Sequence, residues 1–337
     1  MDALSSVRQS QPFGPALRPS SGGPLASFVI LTYNDYPQLR GAIARACHQT
    51  WQHLEIIVVD DGSQKRVAEQ LAAEGIVDDR LRVVRRPING GVVAAIETGI
   101  ECARGEFIYL GSTNDPVEPA LIEASIETLL LHPSAGFCFS DPGVIDGWNG
   151  AQRAFPFGFA PKSRSFSPDE LADEMQKAPF HISTNTIVYR TAALQCAGAS
   201  RTAMGVYADW FTSVMIAMRD GAVYVPRVLS YSRRHPGAFS GNIGRDRASQ
   251  LRAAAATLKA VVTEMPEVVD RLRRSREVSH FGIRVLLALY DDPVCRSLID
   301  FPTLRTAFLR DGWSRVASLL PDAGRRLARR LTSAAQS

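Results

Sequence analysis

Three short stretches of this sequence carry side chains of the type and spacing to work on a ligand. Thr32-Tyr33-Asn34 follows the apolar run Phe28 to Leu31, Asp60-Asp61-Gly62-Ser63 follows Leu54 to Val59, and Ser112-Thr113-Asn114-Asp115 follows Glu106 to Leu110. A carboxylate so placed can accept hydrogen bonds from a base or ribose. Oxygen ligands also suit a Mg²⁺ or Mn²⁺ ion that bridges phosphates. Each stretch has an ordinary reading beside the chemical one. Asp-Gly and Asn-Asp-Pro form turns, and Asp61 fits that role better than a ligand contact. Asp209 stands in the first turn of an expected helix, where the macrodipole favours an acid whatever the function and would keep it ionised. Trp210 beside it reads as core, and His48, His53, His132, His181 and His280 have no partners in sequence.

The elements that must position these groups alternate. A buried strand at Phe28 to Leu31 is followed by helical spacing from Tyr36 to His48, a strand from Leu54 to Val59 and a helix from Lys65 to Glu74. A third strand, Leu81 to Val84, leads through the Asn89-Gly90-Gly91 turn to a helix ending at Ala103, then to a fourth strand, Glu106 to Leu110. Such alternation predicts βαβ units and a mostly parallel sheet, whose ligands sit at the carboxyl ends of strands near a switch in strand order. Further on, strands are expected at Ala135 to Ser140, Thr186 to Tyr189 and Val223 to Val225. Helices are expected at Thr191 to Cys196 and Tyr207 to Arg219, and residues 142–180 read as a loop-rich segment, either acceptor-facing or a mobile lid. From Arg245 the chain reads as helical.

Several function classes lack their signatures. No GxGxxG follows the first strand, no GxxxxGK[ST] is present, and neither GxSxG nor HExxH occurs. The formal charge of +4 over 337 residues does not suggest nucleic acid. Five scattered cysteines, without CxxC, indicate neither zinc nor a disulfide framework. Residues 1–25 read as a disordered leader without a signal-peptide core, and no apolar run approaches the ~18 residues of a membrane span. A cytoplasmic protein is expected. The stretch Ala323 to Leu331 carries four Arg and no acid, so contact with the inner face of a membrane is a further expectation.

Residues 27–119 resemble glycosyltransferase family 2. The resemblance is carried by Val29-Ile-Leu-Thr-Tyr-Asn34, Val59-Asp-Asp-Gly-Ser63, Asn89 to Gly91 and Ala103-Arg-Gly-Glu-Phe-Ile108, and extends to about residue 240 through Asp209-Trp210 and Arg233-Arg-His235. It implies a GT-A type, Rossmann-like α/β fold over residues 26–240, with a helical extension over 241–337. It also implies inverting transfer of a sugar from a nucleoside-diphosphate donor, a UDP-sugar first, to a saccharide or lipid-linked acceptor in polysaccharide or glycoconjugate synthesis. Thr32, Tyr33, Asn34, Asp60 and Asn89 would form the nucleotide site. Asn114, Asp115, Arg233 and His235 would stand at the diphosphate and a divalent metal, and Asp209 would be the general base.

The sequence departs from the family pattern at the DxD positions, which fall on Ser112-Thr113-Asn114, so both carboxylates are replaced and the following Asp115 remains. Ala208 stands where an acid commonly precedes the D-W aspartate, and Ile96 where an Arg is often found. Weak binding of Mn²⁺ or Mg²⁺ follows. A nucleotide-sugar-binding relative without catalysis is the competing reading, opposed by the retained Asp209, Arg233 and His235. A nucleotidyltransferase would want a Gly-rich turn where Thr32-Tyr33-Asn34 stands.

Overall fold

A computed structural model describes residues 23–147, 150–177, 182–198, 201–234 and 246–319. Most of the expected leader, His235 and the Arg-rich tail lie outside these residues. In chain order the elements are β1 (Ala26–Thr32), α1 (Tyr36–Cys47), β2 (Leu54–Asp60), α2 (Val67–Ala73), β3 (Leu81–Arg85), α3 (Gly91–Cys102), β4 (Phe107–Ser112), α4 (Leu121–Leu131), β5 (Phe137–Asp146), β6 (Gln152–Ala154) and β7 (Arg164–Phe166). These are followed by α5 (Pro168–Lys177), β8 (Ile187–Arg190), α6 (Thr191–Cys196), α7 (Ala208–Asp220), β9 (Ala222–Arg234), α8 (Arg247–Glu264), α9 (Val269–Ser275), α10 (Ile283–Leu289), α11 (Pro293–Arg296) and α12 (Phe301–Leu319). No described helix is long and apolar enough to cross a membrane.

One sheet of nine strands, in the order β3-β2-β1-β4-β8-β5-β9-β7 with β6 on β5, forms the centre. Strands β1 to β4 pair in parallel, β8 runs antiparallel between β4 and β5, and β5 pairs in parallel with β9. Side chains alternate between its faces, as strand geometry requires. Val29, Ile57, Val59, Ile108 and Leu110 pack on one side with α3 and α7. Phe28, Ile30, Ile56, Val58, Phe107 and Tyr109 pack on the other, with α1 and α4. Burial on both faces explains why these strands read as continuous apolar runs. Close approach of α3 to the sheet depends on Gly99, where a Cβ would meet Val29 Cγ1 at 2.6 Å. The expected α/β architecture, with a helical region after it, is present.

Three stretches differ from expectation. Strand β9 spans 13 residues, Ala222 to Arg234, where Val223 to Val225 alone was expected, and it does so despite Pro226. Its register with β5 jumps from Ser140↔Val225 to Asp141↔Val228, so Pro226 sits in a bulge where no ladder hydrogen bond is asked of it. Residues 142–180 hold β6, β7 and α5 rather than loop alone. Helix α5 starts at a capping box, with Ser167 N–H donating to Glu170 Oε2 at 2.9 Å and Glu170 N–H donating to Ser167 Oγ at 3.3 Å. Helix α4 was not anticipated, although Leu121, Ile122, Ile126 and Leu129 bury one face of it. The C-terminal region is helical as expected, with α8 and α12 the long members and α9 to α11 short ones between them.

Candidate functional site

The chain passes from β1 to β2 and β3 on one side, then returns to place β4 on the other side of β1. A crevice opens at such a reversal, beyond the carboxyl ends of the strands. Thr32, Asp60 and the 112–115 loop stand there side by side, with Thr32 paired to Asp60 and Leu31 to Ser112 in register.

Thr32 ends β1 at 5% exposure, and its Oγ1 is buried with no hydrogen-bond partner among the described residues. Tyr33 is exposed. Asn34 takes the left-handed conformation (φ 51) and braces the neighbouring turn. Its N–H donates to Ser63 Oγ at 2.9 Å, and its Oδ1 accepts from Gln64 N–H at 2.8 Å.

Asp60 is fully buried and fully engaged. Oδ1 accepts from Ser63 N–H at 2.9 Å and Oδ2 from Arg85 Nη1 at 2.6 Å, while Arg85 Nη2 donates to Ser63 O at 2.8 Å. Burial alone would raise its pKa, but the Ser63 and Arg85 donors together hold it below the usual carboxylate value. Asp61 closes the next turn, as expected of a turn former. It accepts from Arg86, from Gly90 N–H at 3.0 Å and from Gly91 N–H at 2.8 Å, fixing the start of α3. Asn89 belongs to that turn, its Oδ1 accepting from Gly91 N–H at 2.9 Å. Gly62 lets the two turns touch: its φ is +75°, and a Cβ there would lie 2.8 Å from Asn89 N.

The 112–115 loop is tied from α1. Thr113 Oγ1 donates to Asp35 Oδ2 at 2.6 Å, and Arg45 Nη2 donates to Thr113 O at 3.2 Å. Past the loop, Tyr231 N–H donates to Pro116 O and Glu118 N–H to Leu229 O, both at 2.9 Å, which zips β9 to this segment. Arg233 thereby reaches Asp115, its backbone N–H donating to Oδ1 at 3.2 Å. Burial raises the Asp115 pKa, opposed by the Arg233 N–H, the Ser112 hydroxyl and the Arg45 and Arg233 guanidiniums. Asn114 is half-buried beside it. His235 lies outside the described residues.

Asp209 heads α7 in a small cleft with Val93 and Ile96 of α3, Leu110 of β4, Thr184 and Tyr189. Solvent reaches its side chain, yet protein surrounds it closely enough that lost solvation raises its pKa, against a hydrogen bond from Thr184. The helix macrodipole pulls the other way, toward the charged form. Ile96 and Leu110 are among the apolar neighbours that take water from the carboxylate.

The structure thus joins Thr32 to Asp60, Asn89 to Asp61, and Asp115 to Arg233. It places Asp209 behind β4 with Thr184. Arg45, Asp35, Arg85 and Thr184 were not singled out in the sequence; Arg85-Arg86 at a strand end was the one visible signal. For a divalent metal the fit is poor. Asp115 is a single carboxylate already faced by two guanidiniums, and no group of three His, Cys, Asp or Glu among the described residues could hold an ion.

The model of glycosyl transferase family 2 matches residues 27–196. The chain is 36% identical over 99 residues to the glycosyltransferase GlyG of Streptococcus pneumoniae, a match covering 29% of this chain and 33% of that protein. It is 35% identical over 104 residues to the uncharacterized glycosyltransferase EpsJ of Bacillus subtilis, covering 31% of this chain and 30% of that protein. The aligned part therefore spans about a third of these curated relatives. Among solved structures, S. aureus TarS superposes with a TM-score of 0.50 at 16% identity, over 80% of this chain and 44% of that one, a likeness of fold.

Proposed function

Because the chain belongs to glycosyltransferase family 2, we propose that it transfers a sugar from a nucleoside-diphosphate donor to an acceptor hydroxyl, with inversion at the anomeric carbon. Asp209 carries the reading. It is a carboxylate open to solvent, beside the end of β4, with its pKa held above the usual value. A general base needs that combination of reach and of a pKa drawn toward the working pH. Asp209 accepts the acceptor's hydroxyl proton as the oxygen attacks the anomeric carbon. The bond to the diphosphate oxygen breaks on the opposite face, and the diphosphate leaves with the electron pair.

Thr32 supplies a hydroxyl to the nucleotide, and Tyr33 an exposed ring. Asn34, Asn89 and Asp60 act through the turns they hold. Arg233, kept beside Asp115, meets the charge of the leaving diphosphate, a task preorganised cations perform well. Since the described residues do not fit a protein-held metal, leaving-group stabilisation is assigned to Arg233. Any Mn²⁺ or Mg²⁺ would enter with the donor's phosphates.

A UDP-sugar is the donor to test first, with a saccharide or lipid-linked acceptor. Residues 26–240 are the proposed transferase unit and 241–337 its helical extension. The Arg-rich tail is a proposed contact with anionic lipid; equal sedimentation with liposomes of the full chain and one ending at Pro321 would discard it.

Asp209→Asn tests the central claim. It should lower turnover on the order of 10²–10⁴-fold with UDP affinity kept, and the wild-type acid limb should fall above the ordinary carboxylate pKa of 3.8. Near-wild-type transfer by the folded variant would refute the assignment and leave a binding protein.

A further inference from the structure

We propose that the turn Glu277–Phe281, in the C-terminal helical region, positions Asp209 by holding the aromatic residues on either side of it; this rests on the transfer chemistry proposed above. Asp209 lies between Tyr207 and Trp210. Phe281 touches both, stacked on Tyr207 at 4.3 Å between ring centroids and 13° between planes, and edge-on to Trp210 at 4.9 Å and 89°. From the same turn, Glu277 accepts from Trp210 Nε1 at 3.4 Å through Oε2, the oxygen that also lies 3.3 Å from His280 Nδ1. Trp210, Glu277 and Phe281 are all buried.

The chain reaches Asp209 from the 3-10 segment Arg201–Tyr207, which packs against α8 and α3. The first N–H groups of a helix have no partner within the helix, and α7 begins at Tyr207 without a side-chain cap. The chain enters through Gly205, whose φ of 50° and ψ of −119° few other residues adopt. Packing of the C-terminal region on Tyr207 and Trp210 therefore acts beside the Thr184 hydrogen bond in setting where the Asp209 carboxylate points. A base displaced by about 1 Å can lose on the order of a hundredfold in rate. Glu277 and Phe281 are positioning residues, since they act on Asp209 through Tyr207 and Trp210.

The test uses the full-length chain. Carbon-13 NMR of labelled aspartate follows the Asp209 carboxyl, identified by its loss in Asp209→Asn. In Phe281→Leu its titration midpoint should move by about half a pKa unit or more, whereas Phe281→Tyr, which keeps the ring, should leave it in place. Trp210→Phe keeps the ring contact and loses the bond to Glu277. It should move the midpoint too, and it serves if Phe281→Leu does not fold. With the UDP-sugar that the wild type cleaves fastest, Phe281→Leu should lower kcat about tenfold or more while the Kd for UDP stays within about twofold. Added to Asp209→Asn, it should cost nothing further, because both act through one carboxylate. An unmoved midpoint in a folded Phe281→Leu or Trp210→Phe variant overturns the inference. Full activity in Asp209→Asn, with the midpoint still moved by Phe281→Leu, would keep the positioning role and remove the catalytic assignment instead.

Discussion

Replacing Thr32 with Val should move stability and ligand binding in opposite directions. The Thr32 hydroxyl is buried and unpartnered among the described residues. A buried polar atom left without a partner costs about 1–3 kcal/mol. Valine keeps the branched shape that suits the end of a strand and removes that atom, so the free protein should gain roughly 1 kcal/mol and melt about 2 °C higher. A nucleoside diphosphate that uses the hydroxyl loses one neutral hydrogen bond, worth about 0.5–1.5 kcal/mol, so its Kd should rise about two- to tenfold. Differential scanning calorimetry and isothermal titration with UDP in one buffer measure both quantities. A lower melting temperature with an unchanged Kd would show that the hydroxyl is satisfied within the protein and does not reach the ligand.

Arg233→Ala should lower turnover more than Asn114→Ala does, and activity should rise with Mn²⁺ only over a high concentration range. Tight metal binding by the nucleotide-free protein would refute that account. Glu277, facing His280 on its own turn, Trp210 on α7 and Arg310 on α12, is pushed by burial up to about 8 from 4.5. Its proton stays on in the folded chain over a range where the unfolded chain has lost it, so its contribution is fully present below about 4.5 and fades as pH rises through about 8. Melting temperature against pH should therefore fall less steeply over that window in Glu277→Gln than in wild type, and parallel curves would count against it.

Sequence reading found the strand ends because their cause is local. Continuous apolar runs mark strands buried on both faces, and the polar residues that end them must lie at the crevice. Where the strand order reverses, between β1 and β4, is given by the fold and not by the sequence. What Asp60 does was not legible, since its partner Arg85 comes from another strand and seals the carboxylate into the turn. Its effect on nucleotide is thus proposed through the turn and not through direct contact. The raised pKa of Asp209 was not legible for a related reason: the macrodipole is visible in a helix, whereas Ile96 and Leu110 approach only in the fold. Strand β9 looked short because Pro226 interrupts it, and a bulge that absorbs a proline depends on the partner strand. The capping box at Ser167 and Glu170 and the apolar face of α4 are local signals, masked in the sequence by the Gly and Pro around them.

The core cluster that contains Val29 and Ile108 continues through Phe211 and Tyr224 to Leu258, Leu272, Leu286 and Ala307. The family match stops at residue 196, before α7 and β9. A fragment cut there would strip β5 of its parallel neighbour and leave an open edge, with Phe137, Phe139 and Phe166 uncovered beside it. Unpaired edges and bare aromatic surface are what drive chains to aggregate. The stretch that similarity recognises is therefore not a piece that could be excised, expressed and swapped between relatives. Being recognisable as a block and being able to stand as a separate body are two different properties of the same residues.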